Sequence, residues 1–370
     1  MGPEQQILEL AHEVGFDLAG IAPALPPPDA ERFGRWIAAG RHGSMAYLER
    51  NAERIADPRR VVPGARSLLV VGFAHSREAF RLSDGTRVAR YAAGRDYHNV
   101  MGRMLRRLAR RIEGAGLAGR GRAVVDAGPV LERSHAARAG LGFASKAANL
   151  LHPRFGPWFF LGELLLEVEL SPTEGPLVGT CGTCRACLDA CPTGAILEPG
   201  LVDSRRCISY QTIENRGPQP RGLRPAIGEW GFGCDVCSEV CPIGRDAPDL
   251  AERFGVHPAL ADSGVVSWLG LGDAFDTTLE GSPLRRPRRE GLARNAAIVL
   301  GNRPSDRGRA VLLEALGFDP SPLVREAAAW SLARAHLADA GTRPALETAA
   351  ATERDPLARR AMRVTLERSL

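Results

Sequence analysis

Apolar positions along the chain change their rhythm several times, and each change predicts a different kind of structure. The opening PEQQILELAHEVGF spaces its apolar residues at helical intervals and predicts an amphipathic helix. FDLAGIAPA is an apolar run that ends in the loop Leu25-Pro26-Pro27-Pro28. A helix is expected around Arg32–Ala39, and Gly40–Arg50 is a Gly-punctuated loop feeding a short helix. SLLVVGF, Ser67–Phe73, is a compact apolar run after Pro63-Gly64 and predicts a buried strand. Arg87–Tyr91, Ala123–Asp126 and Trp158–Leu170 are three further strand candidates, and Val100–Glu113 reads as a basic amphipathic helix with a solvated arginine face. Strands interleaved with helices predict a layered sheet with helical cover over residues 1–175.

From about residue 285 the period becomes helical throughout and repeats. Leu292-Ala-Arg294-Asn-Ala, Leu323-Val-Arg325-Glu-Ala and Leu357-Ala-Arg359-Arg-Ala share an L-x-R-x-A core at spacings of 31 and 34 residues. Asp319-Pro-Ser-Pro322 and Asp355-Pro356 supply helix-start signals before the second and third. Stacked helix pairs of the HEAT type are expected over 285–370, with a plain helical bundle as the alternative. Regular arginines on such a stack suit a phosphate backbone, and equally an ordinary arginine-rich surface. Residues 251–284 read as a linker.

All eight cysteines lie between these regions, in 176–250. Cys181-x2-Cys184-x2-Cys187-x3-Cys191-Pro192 opens the block, and Cys234-x2-Cys237-x3-Cys241-Pro242 closes it with Cys207 upstream. This is the spacing of bacterial ferredoxins with two [4Fe–4S] clusters, in which the last cysteine of each run serves the other cluster. It assigns Cys181, Cys184, Cys187 and Cys241 to one cluster and Cys191, Cys207, Cys234 and Cys237 to the second. Zinc sites built on separated pairs leave the Cys-Pro endings unexplained, and a chain of this size is no disulfide scaffold. The insert at 208–233 is more than an electron carrier needs and is long enough to cover something.

Composition narrows the class. At 370 residues, 44% hydrophobic and 25% charged, the chain reads as an ordinary globular protein of two or three domains. No apolar run approaches the roughly 20 residues that span a bilayer, and the N-terminus lacks a signal-peptide pattern. A cytoplasmic, monomeric protein is expected. The net charge of +5 permits a nucleic-acid partner without demanding one. Its 48 basic residues comprise 47 arginines and a single lysine, Lys146. A compact ammonium is not interchangeable with a planar guanidinium, so Lys146 is either a chance survivor or a residue with a task.

Clusters only move electrons, and no Gly-x-Gly-x-x-Gly follows any strand to bind a nicotinamide or flavin. Asp96-Tyr97-His98-Asn-Val-Met-Gly102 is one place off a D-x-H-x-x-G cobalamin loop, so His98 is not read as a cobalt ligand. It is either a hydrogen-bonded histidine at a loop-to-helix junction or a functional contact. Asp126, at the C-terminal end of a strand before Gly128-Pro129, sits where sites form in sheets, and desolvation there could keep it protonated. Capping the turn is the alternative role.

The sequence resembles tRNA epoxyqueuosine reductases over nearly its whole length. HGSMAYLER, YAAGRDYH, VVDAGPVLER, RAGLGF, FGPWFFLGELLL, the CGTCRACLDACPTGAI run, CISYQTIENRG through CDVCSEVCP, and RNAAIVLGN carry the likeness. The resemblance implies an α+β protein: an N-terminal α/β cobalamin-binding domain akin to that of reductive dehalogenases, a two-cluster ferredoxin-like module and C-terminal HEAT-like helices. It implies removal of the epoxide oxygen of epoxyqueuosine at the wobble position of tRNA, with an electron donor still to be identified. The family's proton-donating aspartate falls on Asp126, and its corrinoid contacts fall on Ser209, Arg216, Cys234 and Asp235. An arginine before an Asp-Pro pair aligns with Arg54, and Tyr97, His98 and Lys146 are grouped with the cofactor contacts. The chain departs from the family at Gly140–Leu150, where Phe143, Ser145 and Ala147 replace the usual Trp, Gly and Asn. A corrinoid reductase of a small molecule and a non-catalytic electron carrier are the alternatives. The helical tail argues against the first, and the insert with Asp126 against the second.

Overall fold

The computed structural model describes residues 2–119, 121–173, 175 and 179–367. The chain forms two compact units that interleave in sequence. The first comprises Met1–Glu78, Arg95–Arg205 and Asp235–Gly255, and the second Ala79–Gly94, Arg206–Cys234 and Val256–Leu370. The units therefore cut across the sequence blocks, and the boundary expected at 175 adjoins residues outside those described.

A four-stranded sheet organises the first unit. Its strands β1 (Leu18–Pro23), β2 (Ser67–Ala74), β3 (Arg122–Val124) and β4 (Phe159–Leu166) lie in the order β1-β2-β4-β3, every neighbouring pair antiparallel. All eight residues of β2 are buried, because helices cover both faces. Helices α1 (Pro3–Val14) and α2 (Tyr97–Gly114) pack together on one side. Gly162 of β4 lets α2 come close, since a Cβ there would lie 3.0 Å from Leu105 Cδ1. On the other side Leu68, Val70, Val124 and Leu165 pack with Ala136 of helix α3 (Glu132–Arg138). A strand that feeds two cores reads as an unbroken apolar run instead of an alternation.

Two expectations shift here for local reasons. The helix expected from Val100 starts at Tyr97, because the Asp96 side chain accepts a hydrogen bond from the His98 N–H at 3.0 Å and caps it earlier. The Arg87–Tyr91 candidate shrinks to Arg87–Val88 and belongs to the second unit, parallel to β5 (Trp230–Phe232). One charged type sits inside the sheet: Glu163 of β4 is fully buried and neither carboxyl oxygen is hydrogen-bonded. Burial, reinforced by nearby Glu132, holds its pKa well above the usual carboxylate range.

The second unit is helical. Helix α4 (Ile208–Ile213) opens the insert, and an array follows of α5 (Arg288–Asn302), α6 (Asp306–Phe318), α7 (Pro322–Ala335), α8 (Thr342–Thr352) and α9 (Pro356–Glu367). Helices α5, α7 and α9 pack in succession, with α6 and α8 packed on them. Within residues 251–284, read as a linker, the chain forms single-turn helices Pro258–Ala261, Val265–Leu269 and Phe275–Thr278 that bury Leu260, Trp268 and Phe275. Helices that short leave no periodic trace in the sequence.

The repeated arginines do not form an outward row of cations. Arg325 makes a two-pronged ion pair with Glu353, both distances 2.7 Å. Arg294 is 1% exposed and holds the insert: its guanidinium donates to the carbonyls of Gln211 (2.7 Å), Asn215 (2.8 Å) and Gly217 (2.7 Å). Asn295 adds bonds to the carbonyls of Thr212 (2.7 Å) and Gly231 (3.0 Å), and Asn302 to those of Arg224 and Gly228. Burial, and then Arg224 and Arg216, push Arg294 down to about 9, which leaves it charged at neutral pH among carbonyl dipoles. Among the described residues no helix is long and apolar enough to cross a membrane.

Candidate active site

Asp126 lies just beyond the end of β3, in the first unit. Its φ of +50° is in the left-handed region, shared among described non-glycine residues only by Ala148 and Arg288. Two contacts hold it there. Its backbone N–H donates to Glu132 Oε1 at 2.7 Å, and its Oδ2 meets His98 Nε2 at 3.1 Å. The Asp126 side chain is 61% exposed.

His98 occupies the first turn of α2, where Asp96 engages its Nδ1 at 2.7 Å. Both ring nitrogens thus face carboxylates, and both act as donors when the ring is protonated. Burial alone would lower the His98 pKa, but the hydrogen bonds to Asp126 and Asp96 outweigh it and raise the value to about 9. The imidazole is therefore protonated at neutral pH and offers no free lone pair to a metal. Tyr97 fixes the ring from one side: it stacks on His98 at 4.1 Å and on Phe160 of β4 at 4.2 Å and 4°. Burial, with the Asp126 charge second, pushes Glu132 up to about 8. An exposed carboxyl thus sits between a protonated imidazole and a protonated carboxylic acid.

Cysteine geometry divides between the units. In the first, Cys181, Cys184, Cys187 and Cys241 line a cavity of about 220 Å³, with Cys237, Ser145 and Asn149 also on its wall. None of the eight cysteines is in a disulfide. No group of three or more His, Cys, Asp or Glu among the described residues closes on a single-ion site. Four thiols spread around a cavity match a cube better than one zinc ion. Cys191 also belongs to the first unit, and Cys207 and Cys234 to the second.

The remaining sequence candidates are scattered. Arg54 is exposed on the short helix Ala52–Ala56. Ser209 is half-buried in α4, and Arg216 is exposed between two residues whose carbonyls bind Arg294, so the hub turns it outward. Asp235 is buried. Lys146, grouped with the cofactor contacts, reaches the cluster loop from a neighbouring turn, donating to the carbonyls of Gly182 (2.7 Å) and Cys184 (2.8 Å). Sequence reasoning missed Asp96 and Glu132 as partners of the acid. An N-capping Asp two residues before a histidine was the available signal for Asp96; Glu132, six residues past Asp126, gave none.

Comparison with known proteins decides the family. A protein from Xanthomonas campestris pv. campestris named epoxyqueuosine reductase is 40% identical over 341 residues, covering 89% of this chain and 95% of that protein. The chain belongs to the epoxyqueuosine reductase family. The relative of the same name from Pseudomonas aeruginosa is 38% identical over 338 residues, covering 89% of this chain and 94% of that one. The family model "Epoxyqueuosine reductase QueG, DUF1730" matches residues 56–127, the "4Fe-4S double cluster binding domain" residues 180–244, and "HEAT repeats" residues 284–367. A crystal structure of an epoxyqueuosine reductase with an epoxyqueuosine-modified tRNA-Tyr stem loop superposes with a TM-score of 0.89 at 27% identity, covering 98% of this chain and 97% of that one. The Bacillus subtilis epoxyqueuosine reductase, in a form with its catalytic loop swung out of the active site, gives 0.87 at 26% identity and 98% coverage of both chains. The expected α+β architecture with a two-cluster module and HEAT-like helices agrees with these matches.

Proposed function

We propose that this protein reduces epoxyqueuosine to queuosine at the wobble position of a tRNA anticodon stem-loop, in the cytoplasm. The observation that carries this reading is that the family likeness runs through both the Asp126 region and the cysteine block of one chain. Two [4Fe–4S] clusters and a cobalamin, when bound, supply the reducing electrons. Cys181, Cys184, Cys187 and Cys241 would hold the first cluster, and Cys191, Cys207, Cys234 and Cys237 the second. On the insert the Arg216 guanidinium is exposed and the Ser209 hydroxyl half-buried, polar groups of the kind that suit a corrinoid's amide rim. Cys234 and Asp235 lie at the insert's end.

Loss of the epoxide oxygen as water consumes two electrons and two protons. Asp126, the exposed end of the hydrogen-bonded row Asp96–His98–Asp126, relays a proton from the protonated His98 to the departing oxygen. Asp96 keeps the imidazole oriented, and the second proton is taken up from solvent. Protein reconstituted anaerobically with iron, sulfide and cobalamin is expected to convert an epoxyqueuosine-bearing stem-loop to queuosine under a strong reductant, read by nucleoside mass spectrometry. Unchanged nucleoside despite intact clusters and bound corrinoid would refute the reading.

The histidine adds a pH signature. Because its pKa is raised from 6.5 to about 9, its ion-pair contribution to folding is complete below about 6.5 and is lost as pH rises through about 9. Turnover is expected to fall across that alkaline window. The His98→Asn variant is expected to be slower and to lack that limb; a variant with the parental alkaline limb would exclude His98 from the proton path.

A further inference from the structure

The lone lysine and its neighbours form a feature that the proposed chemistry does not use. Phe143–Ala144 and Leu150–Leu151 pair as a short antiparallel hairpin, and Ser145–Asn149 is its turn. The Ser145 hydroxyl accepts the N–H groups of Ala147 (3.2 Å) and Asn149 (3.1 Å), and Ala148 takes φ +63° to close the turn. Ser145, Ala147 and Asn149 line the cavity bounded by the first-cluster thiols.

Two side chains of this turn reach toward the cluster ligands. The Lys146 ammonium bridges the Gly182 and Cys184 carbonyls, both within the loop that carries Cys181 and Cys184. The Asn149 amide donates to Ser238 Oγ at 3.2 Å and lies 3.9 Å from the Cys237 sulfur, within N–H···S reach. Cys237 falls in the second ligand set. An ammonium has three rotatable donors on a compact head, whereas a guanidinium presents a flat fork. Closing on two carbonyls of one tight loop suits the ammonium, which accounts for one lysine persisting among 47 arginines.

Resting on the two-cluster reading, we infer that the Ser145–Asn149 turn sets the electron path: Lys146 braces the first cluster and raises its reduction potential, and Asn149 does the same for the second through Cys237. A cluster caged by four thiolates gains negative charge when it takes an electron. A nearby cation or an N–H aimed at a sulfur stabilises that reduced form, and net charge and hydrogen bonds to sulfur are the recognised levers on such potentials. The two levers act on different clusters, so their effects are separable.

The test is an anaerobic redox titration of the reconstituted full chain, followed by paramagnetic resonance, each signal being assigned with a cysteine-to-serine variant of its own ligand set. Lys146→Met is expected to shift the midpoint of the first cluster to more negative potential and leave the second in place. Asn149→Leu, close in volume but without the N–H donor, is expected to shift the second and spare the first. Lys146→Gln keeps a donor to the loop without the charge and covers the case in which the Met variant loses its first cluster; it is expected to move the first midpoint in the same direction. The inference is overturned if both Lys146 variants leave the first midpoint at the parental value, or if Asn149→Leu moves the first cluster as much as the second. A parent protein that fails to assemble two clusters would instead refute the cluster reading on which the inference rests.

Discussion

Asp126→Asn is expected to slow epoxyqueuosine reduction by roughly 10²–10⁴-fold, the range that a positioned general acid supplies, while leaving the cluster and corrinoid spectra as in the parent. Asparagine keeps the backbone N–H that Glu132 accepts at 2.7 Å, and its amide oxygen can still receive the His98 donor at 3.1 Å. Asparagine also tolerates the left-handed backbone at this position, where φ is +50°. Geometry is thus preserved, while the transferable proton and the carboxylate charge that faces His98 are lost. Single-turnover conversion of a modified stem-loop, quenched and read by mass spectrometry beside a paramagnetic spectrum of the same sample, checks both halves. A rate within a few-fold of the parent would remove Asp126 from the role.

Arg294→Met is expected to destabilise the second unit by about 3 kcal/mol, because each buried carbonyl left without a donor costs about 1–3 kcal/mol and relaxation recovers part of the sum. Methionine fills the space of the arginine stem, so the loss reports the hydrogen bonds and not a cavity. The Asn215 and Gly217 carbonyls of the insert lose the Arg294 donor, and the Gln211 carbonyl keeps only the Gln219 amide. Lysine is expected not to restore the parent, since one ammonium cannot span three acceptors that a planar fork reaches. Thermal unfolding and limited proteolysis are the measurements, with new cleavage expected inside residues 208–233. A Met variant that melts with the parent and resists cleavage would show that the hub does not hold the insert.

The parts legible in the sequence were those with a strong local code. Cysteine spacing gave the two-cluster pattern, since metal ligands on consecutive turns demand fixed intervals. Ser67–Phe73 was legible as a strand because seven successive buried residues leave no polar alternation. Asp126 was found by its place after a strand, but its partners were not. His98 and Glu132 reach it across 28 and 6 positions of chain, and such distances carry no periodicity. The hold of the RNAAIVLGN stretch on the insert was not legible for a similar reason: its arginine belongs to a helical repeat in sequence, yet its guanidinium faces a different segment 77 to 83 positions earlier. Single-turn helices at 256–284 fell below the length at which hydrophobic rhythm can be read.

The way α5 grips the insert also limits where this polypeptide can be trimmed. A deletion beginning near residue 285 looks, on the repeat pattern, like the clean removal of an accessory array. It would leave the Ile208–Phe232 segment without the Arg294, Asn295 and Asn302 donors that satisfy its backbone. A shortened version meant to retain the insert's shape has to keep the array at least through Glu326, whose carboxylate pairs with the buried Arg224 of the insert at 3.0 and 2.7 Å.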